Sequence, residues 1–147
     1  MAEYDGKLYF SAANESGYEL WSFDGAVASR AADINTADGE GSYPQYMVEY
    51  DGKLYFSADD GINGAELWSF DGVAANMEAD INTAAGEGAS PRGMTVFDGK
   101  LFFSVDPDGQ DNRELWSFDG AVPNMEARFN TAPGAFTDMI EFAIYAY

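Results

Sequence analysis

The 147-residue sequence contains no cysteine and no histidine. Without cysteine no disulfide can staple the fold and no thiol can act as a nucleophile, and cysteine usage marks neither an oxidising nor a reducing compartment. Without histidine, a Ser-His-Asp triad, an imidazole general base and His-ligated zinc are excluded. Basic residues are scarce, with 7 Lys and Arg against 26 Asp and Glu, for a formal net charge of −19. Such a surface repels phosphate backbones and anionic bilayers, so nucleic acid is not an expected partner, whereas cations, cationic proteins and neutral glycans remain open. No apolar run approaches the roughly 18 residues of a membrane helix, and no membrane insertion is expected. The opening "MAEYDGKLYF" lacks the basic region, apolar stretch and cleavage site of a signal peptide. Long apolar stripes of 3.6-residue period are also missing, which argues against helix.

What is present is apolar and aromatic: 46% hydrophobic and 16% aromatic residues, too much for an acidic disordered chain. The heptapeptide "ELWSFDG" stands at Glu19–Gly25, Glu66–Gly72 and Glu114–Gly120, inside a longer near-copy that begins at Tyr4, Tyr50 and Phe97. Trp21, Trp68 and Trp116 lie 47 and 48 residues apart, the length of one four-stranded propeller blade. Each copy holds two short aromatic-rich segments, "KLYFSA"-like and "ELWSF", bounded by Asp-Gly pairs that supply the positive φ angles of type I′ hairpins. The pairs divide each unit into strands a ("YMVEY"), b ("KLYFSA"), c ("ELWSF") and d (around "AADI"). Alternation sets Leu8 and Phe10 against Tyr9 and Ser11, so both faces of each sheet are expected to be covered. The expected fold is all-β: three four-stranded antiparallel blades, with repeat one over 3–48, repeat two over 49–96, repeat three over 97–138 and a closing strand over 139–147.

Trp21, Trp68 and Trp116 read as packing between units, with stacking on a ligand as the alternative. Glu19, Glu66 and Glu114 read as closing a repeated hydrogen bond or salt bridge. The run "SADDGINGAELWSFDG" followed by "ADINTAAGEGASPRGMTVFDGKLFF" resembles the ELWxxDGT, or hyalin-like, repeats of large bacterial and marine surface or secreted proteins. The resemblance extends from about Tyr4 to Met139, departing where Ala26, Val73 and Ala121 replace the usual Thr and where "ARFN" replaces "ADIN" in the third copy. It implies a propeller-like fold, an adhesive or scaffold role at a surface or outside the cell, and no catalytic residues.

Three blades are too few for a ring, which usually takes about four to eight. The short "AEY" before strand b of the first unit and the β-prone "FTDMIEFAIYAY" suggest that the tail of one chain completes the first blade of another, two chains making a six-bladed head-to-tail homodimer; an excerpt from a longer array is the rival.

The b–c and d–a loops share one face and vary among copies, so ligand contacts are expected there, at Asp38, Glu40, Asp59, Asp60, Asn63 and Glu87. "DPDGQD" offers Asp106, Asp108 and Asp111 as oxygen ligands for Ca²⁺, without EF-hand spacing; a solvated acidic loop is the plainer reading. Asn14-Glu15-Ser16 fits a glycosylation acceptor. "GEGAS" lacks the Lys and Ser/Thr of a phosphate loop, and the acidic groups are spread over three similar units, so no enzyme is expected. A non-catalytic module for protein interaction or structural assembly is the leading expectation, and a multivalent lectin-like propeller, with or without calcium, is the alternative.

Overall fold

The computed structural model describes residues 1–15, 17–84, 86–107 and 113–129. Among the described residues, twelve strands build three separate four-stranded antiparallel sheets, each a simple meander. Sheet 1 comprises β1 (Ala2–Tyr4), β2 (Lys7–Asn14), β3 (Gly17–Phe23) and β4 (Ala28–Ala32). Sheet 2 comprises β5 (Gln45–Tyr50), β6 (Lys53–Asp59), β7 (Ala65–Phe70) and β8 (Ala75–Ala79). Sheet 3 comprises β9 (Arg92–Phe97), β10 (Lys100–Val105), β11 (Glu114–Phe118) and β12 (Pro123–Arg128).

The two Asp-Gly pairs of each unit do different work. In the a–b turns both central residues have positive φ, as at Asp51 (47°) and Gly52 (73°), which is the type I′ geometry that matches strand twist. The c–d turns do not follow that expectation. They are four-residue loops in which only the glycine is left-handed, and the Asp side chain holds the loop: Asp71 Oδ1 accepts from the Val73 and Ala74 amides at 2.9 and 2.8 Å. Asp24 and Asp119 repeat the arrangement. These amides hold all three carboxyls below the usual aspartate range.

Strand d also begins earlier than "AADI": in sheet 1 it is Ala28–Ala32, because the four-residue loop delivers the chain to the sheet edge at once. Its pairing with strand c carries one bulge in every unit, just before the tryptophan, between Leu20/Trp21, Leu67/Trp68 and Leu115/Trp116. A bulge re-aims the extra residue. In sheets 2 and 3 that residue is Glu78 or Glu126, whose carboxylate accepts from the Ser69 or Ser117 hydroxyl across the strand pair.

The sheets stack face on face in chain order. One face of sheet 1, with Tyr4, Tyr9 and Leu20, packs on Leu54, Phe56, Ala58, Trp68 and Phe70 of sheet 2. The opposite face of sheet 2, with Tyr50, Tyr55 and Leu67, packs on Leu101, Phe103, Val105 and Phe118 of sheet 3. The middle sheet is therefore covered on both sides, and Leu54 and Phe56 are fully buried. The outer sheets are not. Leu8, the counterpart of Leu54, is 37% exposed, which corrects the expectation that both faces of every unit are covered. Sheet 1 has its own strand a, but β1 pairs with β2 only through Ala2↔Tyr9, Glu3↔Leu8 and Tyr4↔Lys7. The expected closing strand, 139–147, lies outside the described residues, and the described sheets do not close into a ring.

Candidate interaction surface

Each internal interface is built from the same parts. Tyr4 and Tyr9 face each other at 5.8 Å between ring centroids, and Phe70 of the next sheet lies 5.6 Å from Tyr9. Tyr50, Tyr55 and Phe118 repeat this at 5.6 and 5.8 Å. All four pairs are tilted, in the range where edge and face quadrupoles attract. The first ring also carries a hydroxyl that crosses the interface: Tyr4 Oη donates to the Gly52 carbonyl at 2.9 Å and Tyr50 Oη to the Gly99 carbonyl at 3.0 Å. Those carbonyls sit in the a–b turns, so the rigid I′ turn of one sheet serves as the acceptor for the sheet before it.

Trp68 is buried in the first interface and Trp116 packs partly against the second, while Trp21 is half-buried on the outer face of sheet 1. The three glutamates anchor the linker that leaves each unit. Glu19 is fully buried and accepts from the Ile34, Asn35 and Ser42 amides and, at 2.6 Å, from the Ser42 hydroxyl. Glu66 accepts from the Ile81, Asn82 and Ala89 amides, but Ala89 stands where Ser42 stood and offers no hydroxyl. Burial pushes the Glu66 carboxyl up to about 7 despite those three donors, with the Asp80 carboxylate adding to the rise. Glu114 differs again: it pairs with Arg128 and accepts from the Trp116 indole N–H at 2.9 Å. Arg128 belongs to the divergent "ARFN", and it supplies in unit 3 the positive charge that units 1 and 2 lack at Asp33 and Asp80.

The loop face is interlaced between units. Asp59 N donates to the Ser42 carbonyl and Asp106 N to the Ala89 carbonyl, both at 2.9 Å, and the Asn82 side chain donates to the Pro107 carbonyl. Asp59 Oδ1 accepts from Gly61 N, and Asp60 accepts from the Ile62 and Asn63 amides and the Asn63 side chain. Burial alone would push the Asp60 carboxyl up, yet these donors hold it below its usual value. Asp59, Asp60 and Asn63 thus bind their own loop, whereas Asp38, Glu40 and Glu87 project into solvent. Asp106 is half-buried; Asp108 and Asp111, offered above as calcium ligands, lie outside the described residues, as does Ser16 of the glycosylation pattern. Among the described residues no group of three or more His, Cys, Asp or Glu is placed to hold a metal ion.

Sequence reasoning missed two features of this face. Gly17 and Gly41 cross backbone to backbone: a Cβ on Gly17 would lie 2.3 Å from the Glu40 carbonyl oxygen, and one on Gly41 2.4 Å from Tyr18 N. Gly64 and Gly88 repeat the crossing. The signal was available, since both pairs keep the same offsets from Glu19 and Glu66. The second feature is a stacked pair, Tyr18 and Tyr43, at 5.4 Å and 27°, with both rings about half exposed. Tyr43 and Tyr46 adopt positive φ (48° and 56°) where unit 2 has Ser90 and Gly93. Bulky side chains rarely take that conformation, and nothing in the repeat requires them here.

Comparison with known family models, curated proteins and solved structures found no match to the chain.

Proposed function

We propose that the three sheets are blades of a propeller-type ring and that the protein is a non-catalytic module for structural assembly or protein interaction, in a complex or at a surface outside the cell. One observation carries the reading: among the described residues the same sheet-on-sheet joint is built twice, and one half of it stands exposed on sheet 1 and the other on sheet 3. Faces that bury aromatic rings inside the chain are contact surfaces where they stand open, for a protein partner or another copy. The ELW–DG resemblance supports the same scaffold role. The charge of −19 suits it too, since like-charge repulsion keeps such faces from indiscriminate association. Sedimentation velocity over a wide concentration range tests the reading: the mass is expected to rise from 16.0 kDa to a discrete multiple, and a chain that stays at 16.0 kDa throughout contradicts assembly through its own faces.

The exposed Tyr18–Tyr43 stack favours a second reading, a lectin-like propeller in which a sugar ring lies on an aromatic face. A glycan array run with and without calcium checks it; signal lost in Tyr18→Ala supports the reading, and no signal at any density removes it.

A further inference from the structure

The open half-joints at the two ends are complementary to each other. Inside the chain, a face bearing an aromatic pair from strands a and b always receives the Leu–Phe face of the following sheet. Sheet 3 presents that aromatic pair again: Phe97 and Phe102 lie 5.9 Å apart at 67°, against 5.8 and 5.6 Å for Tyr4–Tyr9 and Tyr50–Tyr55. Among the described residues no third ring takes the place that Phe70 and Phe118 fill at the internal joints, and Phe97 is 62% exposed. Sheet 1 holds the matching part unused. Leu8, Phe10, Trp21 and Phe23 stand on its outer face at the positions of Leu54, Phe56, Trp68 and Phe70, with Leu8 and Phe23 each 37% exposed.

Resting on the assembly reading above, we propose that sheet 3 of one copy receives the outer face of sheet 1 of a second copy, with Phe23 of that copy completing the ladder on Phe102. The joint is sheet face on sheet face, not exchange of a C-terminal strand. It is heterologous, each chain offering one half at each end, and two copies close it as a ring of six sheets. The aromatic pair of this joint lacks two hydroxyls that the internal ones carry, because Phe97 and Phe102 both stand where the other units have tyrosine, and only the first of these hydroxyls crosses the internal interfaces. Phe97 stands where Tyr4 and Tyr50 donate a hydroxyl to a turn carbonyl, so the Gly6 carbonyl of the second copy receives nothing from it. The acceptor is correctly built, because Asp5 and Gly6 (φ 47° and 69°) form the same turn as Asp51 and Gly52. The intermolecular joint is therefore a weaker version of the internal ones. Both chains are strongly acidic, so screening by salt tightens the contact rather than loosening it.

Sedimentation equilibrium on the full chain tests the proposal. Phe23→Arg and Phe102→Arg each put a charge in the joint, and each alone is expected to weaken dimerisation by at least about a hundredfold. An equimolar mixture of the two contains one intact joint, Phe102 of the first variant against Phe23 of the second, and is expected to dimerise where neither does alone. Phe97→Tyr restores the hydroxyl that crosses the internal interfaces and is expected to tighten the wild-type dimer about fivefold. If only one arginine variant dissociates the dimer, or the mixture does not re-form it, the joint is isologous or elsewhere; the inference then falls while assembly stands. If the wild-type chain is monomeric, both fall. Circular dichroism verifies folding of the arginine variants, and if either is unfolded Phe97→Tyr decides, with an unchanged dissociation constant overturning the inference.

Discussion

Ala89→Ser should stabilise this protein at alkaline pH and do little in mild acid. Ala89 is fully buried and its amide donates to Glu66, at the position where the first unit has Ser42. There the hydroxyl adds a fourth donor to Glu19, at 2.6 Å, in equally tight surroundings. Among the described residues Glu66 has three donors, and burial lifts its carboxyl to about 7 from an ordinary 4.5. At 1.36 kcal/mol per pH unit, that gap corresponds to about 3 kcal/mol. The folded-state value is raised above the unfolded one. The contribution is therefore fully present below about pH 4.5 and lost as pH rises through about 7. A serine hydroxyl favours the charged carboxylate, so it should restore about 1–2 kcal/mol at pH 8. That is a rise of about 2–4 °C in Tm per kcal/mol for a chain of this size. Thermal melts of wild type and variant from pH 4.5 to 8.5 measure it. Asp24, Asp60, Asp71 and Asp119, whose carboxyls are held low, lose their contribution only at more acid pH and do not mask the window. An Ala89→Ser gain of the same size at pH 4.5 and pH 8.5, or no gain at either, would refute the argument.

Other substitutions probe the scaffold. Gly88→Ala drives a methyl to 2.1 Å from Ala65 N and should cost more than about 3 kcal/mol in chemical denaturation, whereas Gly86→Ala, with open space around it, should cost only the roughly 1 kcal/mol of a left-handed alanine. Tyr50→Phe keeps the ring and removes the hydroxyl from the Gly99 carbonyl, with an expected loss of about 1 kcal/mol in urea melts. Phe56→Ala, in the sheet covered on both sides, should lower stability by about 3–5 kcal/mol, well beyond Leu8→Ala on the open face.

The repeat, the strand order within each unit and the I′ turns at Asp5-Gly6, Asp51-Gly52 and Asp98-Gly99 were legible because each rests on local chemistry: period-2 alternation and paired positive φ. Asp24-Gly25 carries the same two letters and a different turn. What distinguishes it is the distance to the next paired residue, Ala28, and pairing is not a local property. Burial was misjudged for the same reason: Leu8 and Leu54 sit in near-identical local sequences, and only the presence of a neighbouring sheet separates an exposed side chain from a buried one. The reach of Glu19 to Ser42, and the Gly17–Gly41 crossing, join residues more than twenty apart, so no window on one strand carries them and only the constant offsets between repeats do.

The sheets meet face to face through their aromatic ladders. Proton nuclear Overhauser effects between rings on different sheets measure that contact without reference to oligomeric state. With centroids 5.6 Å apart for Tyr9–Phe70 and 5.8 Å for Tyr55–Phe118, strong cross-peaks are expected for both pairs. Well-resolved strand signals without any of these cross-peaks would contradict it, since the sheets would then form without stacking.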